Sequence, residues 1–191
     1  PNLTATFELS NETWNGIYTQ ADRIAQLAQQ TWGVLPNGQP DSNSMHAKMA
    51  TEAALLIDAV YGSASDPRVQ HVLASHVVSP YTTRNRIDAP SWQANDPTGY
   101  VAPSSVFDAV AVTTFFGNDT LRLDAFRQEF EAAYDDPNID PAAWLKAKRL
   151  DPTYSKSVPE VLGFLDQQKA LADSYGLDLV LYEGGQHLDV V

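Results

Sequence analysis

Two glutamates stand where this chain could do chemistry. Glu183 closes the apolar run Leu179-Val180-Leu181-Tyr182 and is followed at once by Gly184-Gly185-Gln186-His187. A buried strand hands a reactive group to a loop in this way. Glu12 lies near the other end, in Phe7-Glu8-Leu9-Ser10-Asn11-Glu12-Thr13-Trp14-Asn15. A strand-end carboxylate can act as acid, base or nucleophile, and it can equally be an ordinary turn residue. Two carboxylates brought together could share such work.

The elements that would position them follow from periodicity. Leu3, Ala5, Phe7 and Leu9 alternate with polar residues, predicting a first strand that ends near Asn11-Glu12. Helices are expected from Ile17 to Trp32, closed by Gly33, and from Ser44 to Tyr61, closed by Gly62, with a loop over 36–43 between them. Val69 to His76 reads as a second strand. The prolines at 80, 90, 97 and 103 make Val77 to Pro103 a long loop, with at most a short helix near Thr83 to Ile87. Val106 to Gly117 reads as a third strand, and Leu121 to Tyr134 as an amphipathic helix. A short helix follows from Pro141 to Leu150. Ser157-Val158-Pro159-Glu160 opens the last helix with a capping box and a first-turn proline, and Gly176 stops it. A fourth strand runs from Leu177 to Tyr182. Four strands separated by helices imply right-handed crossovers, a parallel sheet and an α/β class in one domain. Asn11-Glu12, Ser75-His76, Thr114-Phe115-Phe116 and Glu183 then all fall at carboxyl ends of strands, where such sheets carry their chemistry.

Composition narrows the partners. The 191 residues carry 24 acidic and 12 basic side chains, a formal net charge of −12. That field disfavours nucleic acid and anionic membrane surfaces and leaves neutral ligands open. With no cysteine there is neither a disulfide nor a thiolate. No apolar run is long enough to span a membrane, and no signal peptide opens the chain. The abrupt start inside a strand pattern suggests a piece of a longer polypeptide.

Asn11-Glu12 and Tyr182-Glu183-Gly184-Gly185 together resemble the clan of (β/α)8-barrel retaining glycoside hydrolases. In that clan an Asn-Glu pair ends the fourth barrel strand and a second glutamate ends the seventh. Ser10-Asn11-Glu12-Thr13-Trp14-Asn15 and Tyr182-Glu183-Gly184-Gly185-Gln186-His187 are also similar to segments of bacterial members that are often secreted, so an extracellular or cell-surface location is the expectation. The resemblance implies Glu12 as acid/base, Glu183 as nucleophile and Asn11 as partner of the sugar 2-hydroxyl, with an oligo- or polysaccharide substrate. It covers barrel strands four to seven only. A closed barrel needs about 250 residues, so the expected fold is a partial (β/α)8 barrel, completed by further chains or by missing segments. One departure stands out. Members commonly carry a tyrosine or histidine at the end of the sixth strand, bonded to the nucleophile, where this chain has Phe115-Phe116. Orientation of Glu183 then falls to His76 or Tyr182.

Further candidates for the sugar site are His76, Gln186 and His187, and Trp14 as a stacking face or as a core tryptophan at a helix start. Trp92 and Tyr100 in the long loop are candidate platforms. His46 and His71 read as surface residues of a helix and a strand. Asp135-Asp136-Pro137-Asn138-Ile139-Asp140 reads as a solvated turn rather than a calcium loop, since it lacks the spacing and glycine of an EF-hand. No metal site and no cofactor are expected. Asn2-Leu3-Thr4, Asn11-Glu12-Thr13 and Asn118-Asp119-Thr120 match the glycosylation sequon, with chance as the default. Two rival readings remain open. One is a non-catalytic glycan-binding or structural protein derived from a barrel, and the other a doubly wound domain binding a small ligand at its switch point.

Overall fold

The computed structural model describes residues 3–64, 66–117 and 123–187. In chain order these form β1 (Ala5–Phe7), α1 (Thr19–Trp32), α2 (Ser42–Tyr61), β2 (Val69–Ala74), α3 (Pro80–Asp88), α4 (Pro90–Asn95), a 3-10 turn (Pro103–Ser105), β3 (Ala109–Phe116), α5 (Asp124–Asp135), α6 (Pro141–Leu150), α7 (Val158–Ser174) and β4 (Asp178–Gln186). The strands make one sheet in the order β1-β2-β3-β4. Ala5 to Phe7 lie opposite Val69 to His71, and Val72 to Ala74 opposite Ala109 to Ala111, both in parallel register. The amide of Asp178 donates to the Asp108 carbonyl and that of His187 to the Phe116 carbonyl, each at 2.9 Å, so β4 runs the same way. Sequential parallel strands joined by helices make this an α/β partial-barrel fold. The order never reverses, so the described strands contain no topological switch point, and the doubly wound reading falls.

The chain divides into two compact units, Pro1–Val112 with Gln168–Val180, and Thr113–Gln167 with Leu181–Val191. In the first, Val72, Leu73 and Ala74 of β2 and Ala109 to Val112 of β3 are buried. α1 and α2 pack on each other through Ile24, Ala28 and Met45, and a second cluster joins Ala47, Ala89 and Trp92. Asp41 caps α2: one carboxylate oxygen accepts from the Ser44 amide at 3.1 Å, and the other from the Ser44 and Ser91 hydroxyls, both at 2.6 Å. Gly62 ends the helix in the left-handed region, φ 85° and ψ 4°. In the second unit Phe126 packs between Trp144 and Tyr154, with ring centroids 5.7 Å from each.

The structure departs from the sequence expectations at several places, and β2 stops at Ala74, which leaves Ser75 and His76 just beyond it. The first strand stops at Phe7, so Asn11 and Glu12 lie in the loop beyond it. The segment from Val77 to Pro103 is not one long loop: α3 and α4 occupy most of it, and only 77–79 and 96–102 are irregular. Ser79 caps α3 by accepting the Thr82 amide, and Pro80 and Pro90 occupy first-turn positions, where a missing N–H costs nothing. Ala89, with φ 43° and ψ 55°, ends one helix and starts the next. β3 begins at Ala109 rather than Val106. β4 continues through Glu183, Gly184, Gly185 and Gln186, which are strand and not turn. The expected helix from Leu121 is described from Asp124; Leu121, Arg122, Asn2 and the sequon at Asn118-Asp119-Thr120 lie outside the described residues. No described helix is long and apolar enough to cross a membrane.

Candidate functional site

In the first unit the loop after β1 is held by strained backbone and by side chains. Ser10 (φ 61°) and Glu12 (φ 45°) both occupy the left-handed region that non-glycine residues avoid. Such strain costs of order 1–3 kcal/mol per residue and persists only where the surroundings fix it. The Asn15 amide donates to the Glu12 carbonyl at 2.9 Å, and the Asn15 side chain donates to Glu12 Oε2 at 3.0 Å. Gln20 Nε2 donates to the Asn11 carbonyl at 2.8 Å. Glu12 is thus aimed by its own loop, and the Asn11 side chain is left exposed beside it.

Behind this loop stands Arg86 of α3, only 1% exposed. Its guanidinium donates to the Ala74 carbonyl at 2.7 Å, to Thr13 Oγ1 at 2.8 Å and to Asn43 Oδ1 at 3.2 Å. It also lies 5.0 Å from the centre of the Trp14 ring. Thr13 Oγ1, which accepts from Arg86, also shares a hydrogen bond with His46 Nδ1 at 2.9 Å. Burial, and secondarily the Arg86 charge, hold the His46 pKa well below its ordinary value, so this ring is neutral. His46 and His71 are therefore not surface residues. Both are buried, and His71 Nε2 meets Asp58 Oδ1 at 2.8 Å.

His76 follows β2 and stacks on Trp14, with centroids 6.0 Å apart and planes 12° apart. Its carbonyl and that of Val77 accept from Gln168 Nε2 of α7, at 3.1 and 2.8 Å. Gln168 Oε1 accepts from Thr83 Oγ1 at 2.7 Å, which leaves the Ser75 hydroxyl to donate to Thr83 at 2.7 Å. A buried polar chain thus fixes the end of β2.

Glu8, one residue past β1, was not singled out by sequence. Burial chiefly, with the nearby Glu12 charge, raises its pKa from 4.5 to about 7 against the lowering pull of Arg86. Its Oε1 is buried and has no hydrogen-bond partner among the described residues. Between pH 4.5 and about 7 the native state keeps a proton that the unfolded chain has released. Stability therefore falls as pH rises through that window. The group is half exposed, so screening limits the fall to about 1–2 kcal/mol. Glu8→Gln should remove it. In urea unfolding the variant should match the parent near the acid end and exceed it at about pH 8; parallel behaviour at both would refute the assignment.

In the second unit Glu183 is exposed on β4, an edge strand. Tyr182 is half-buried, and Gln186 lines an apolar cavity of about 430 Å³ with Phe116, Leu145 and Arg149. His187 packs its ring on Phe115, centroids 5.1 Å apart. Gly184 is needed for close approach: a Cβ there would collide with the Thr114 hydroxyl and lie 3.2 Å from the Thr114 carbonyl. Gly184→Ala should cost about 1–3 kcal/mol in denaturant unfolding. Adding Thr114→Ala should recover part of the loss, since the two effects share one contact.

Trp92 is not a sugar platform. It is 1% exposed, packed edge-on to Tyr100 at 5.1 Å, and the Tyr100 hydroxyl donates to the Asp88 carbonyl. The 135–140 segment is a turn, with Asp136 accepting from Asn138 and Asp140 capping α6. Sequence reasoning missed Glu8 and Arg86. The one available signal was a carboxylate on the polar face of the first strand. Compared with family models, with curated proteins and with solved structures, the chain matches none.

Proposed function

We propose that this chain is a retaining glycoside hydrolase, or a piece of one, acting on a neutral polysaccharide. The observation that carries the reading is the sequential parallel sheet, the order in which strands four to seven of a (β/α)8 barrel run, with Glu12 following its first strand and Glu183 within its last. In this reading Glu12 is the acid/base, Glu183 the nucleophile and Asn11 the partner of the 2-hydroxyl, on an extracellular or cell-surface glycan. Strain at Glu12 supports it, since strained backbone clusters at working residues. The chemistry is a double displacement. Glu183 attacks the anomeric carbon as Glu12 protonates the departing oxygen; water, deprotonated by Glu12, then cleaves the glycosyl ester.

The test is release of reducing ends from neutral β-glucans and β-mannans by the protein, by Glu12→Gln and by Glu183→Gln. Turnover by the parent that both variants lose is the expected result, and turnover unchanged in Glu183→Gln would sink the reading. A non-catalytic glycan-binding protein is the second reading. It is favoured by Phe115 and Phe116, which offer no hydrogen bond to a neighbouring carboxylate, and by His187 packing its ring, tilted, against Phe115. Glycan binding without release of reducing ends would select it.

A further inference from the structure

Within the first unit a cavity of about 380 Å³ opens beside the Glu12 loop. Thr13 and Trp14 form one wall, the segment between α1 and α2 a second, and Tyr81, Thr82 and Asn85 of α3 a third. We propose that this cavity binds a neutral sugar unit of the glycan. The inference rests on the glycan reading above and adds to it a subsite that the carboxylates do not define.

Three features of the lining point to that ligand. The first is a set of amides: Asn37, Gln39, Asn43 and Asn85 all face the cavity. A carboxamide presents a donor and an acceptor about as far apart as two neighbouring hydroxyls, so it can bond both at once. The amides retain that capacity. The Asn85 and Gln39 side chains bond to no described residue, and Asn43 uses only its oxygen, on Arg86. Asn37 likewise uses only its oxygen, on the Gln39 amide. The second feature is Tyr81, 66% exposed and not engaged in any ring contact among the described residues. Its face can cover the C–H side of a pyranose ring while the amides take the hydroxyls. The third is charge. No lysine, arginine or histidine lines the cavity, whereas Asp22 and Asp41 do. A uronate, sulfated sugar or phosphate would meet repulsion with no cationic side chain in the lining to pair with, since Arg86 behind the wall is engaged by Ala74, Thr13 and Asn43. The volume falls in the range of about 300–1,000 Å³ typical of small-molecule clefts.

The cavity wall is rigid where it needs to be. Asn43 is fixed by Arg86, and Asp41 by the Ser44 and Ser91 hydroxyls, so the walls are set before ligand arrives.

The experiment titrates full-length protein carrying Glu183→Gln, which removes the proposed nucleophile, with neutral β-1,4-glucan, β-1,4-mannan and β-1,3-glucan oligosaccharides and with oligogalacturonate, by calorimetry. At least one neutral oligosaccharide should bind and oligogalacturonate should not. Tyr81→Ala and Asn85→Ala, both at partly exposed positions, should each weaken binding about tenfold while melting as the parent does. Failure of every neutral oligosaccharide to bind, equal binding of oligogalacturonate, or unchanged affinity in both variants would overturn the subsite. The hydrolase reading is judged apart, by whether Glu183→Gln loses turnover. Turnover retained with binding still sensitive to Tyr81 and Asn85 would remove the hydrolase and keep the subsite, and the converse pattern would do the reverse.

Discussion

Arg86→Met is expected to destabilise the protein by about 3–5 kcal/mol, the loss found when one member of a buried charged network is removed. The side chain is 1% exposed, and its donors are spread over Ala74, Thr13 and Asn43. Methionine fills much of the volume but donates nothing, so a strand-end carbonyl and two side-chain oxygens lose their donor inside the protein. The Thr13 hydroxyl, no longer held by Arg86, also loses one of the two contacts that fix it beside His46. Arg86→Lys should recover only a minor share, because an ammonium cannot reach three acceptors in the fork geometry of a guanidinium. Urea unfolding at neutral pH reads the loss. The substitution should also be visible electrostatically. Arg86 lowers the Glu8 pKa, so without it Glu8 should titrate above its present value of about 7. The pH window over which stability falls should widen upward accordingly, which a merely structural contact would not do.

The parts of the fold legible in sequence were those whose signals are local. Gly62 closes α2 as expected, although the helix begins at Ser42 behind its cap Asp41 rather than at Ser44, and Ser157 accepts the Glu160 amide at 3.4 Å at the start of α7. The Glu160 carboxylate turns back to the Lys156 amide instead of that of Ser157, a one-residue variation on the expected box. The misread segment from Val77 to Pro103 failed for a physical reason. Proline stops a helix when it falls inside and starts one when it falls at the first turn, and Pro80 and Pro90 take the second role because Ser79 and Ala89 precede them. The extension of β4 was hidden by its glycines. Gly184 reads as turn punctuation, yet it sits in the strand because Thr114 on β3 leaves no room for a side chain.

The candidate site was legible in a different measure. Glu12, Glu183 and Asn11 enter through a local sequence pattern alone, by its resemblance to retaining glycoside hydrolases. Arg86 lies in the polar run Tyr81-Thr82-Thr83-Arg84-Asn85-Arg86, where Arg84 is exposed and Arg86 is buried, and no periodicity separates the two. Only contacts distant in sequence, to Thr13 and Asn43, set that difference. The same holds for Trp92, whose burial comes from Ala47 on another helix. Aromatic residues between prolines look like loop platforms until the packing partner is known.

Glu183→Gln should lower kcat on a neutral glycan by about 10⁴-fold or more, the scale seen when a nucleophile is removed. The side chain is exposed on an edge strand, so exchanging carboxylate for amide should move stability by no more than about 0.5 kcal/mol. A loss of turnover in a variant that unfolds normally is then a loss of chemistry. Glu12→Gln should differ in kind. A general acid contributes about 10²–10⁴-fold, and most where the leaving group is a poor one. Its loss should therefore be large on a polysaccharide and small in the first step on an aryl glycoside with an acidic phenol, whereas Glu183→Gln should fail on both. Adding azide gives the decisive contrast. In Glu12→Ala an external nucleophile that needs no base can resolve the glycosyl ester, restoring turnover with a β-glycosyl azide product. In Glu183→Ala azide can only attack directly, giving the product of opposite anomeric configuration. The anomeric form of the azide, read by proton NMR, assigns acid/base to one glutamate and nucleophile to the other, and azide products of the same configuration from both variants would overturn the division of roles.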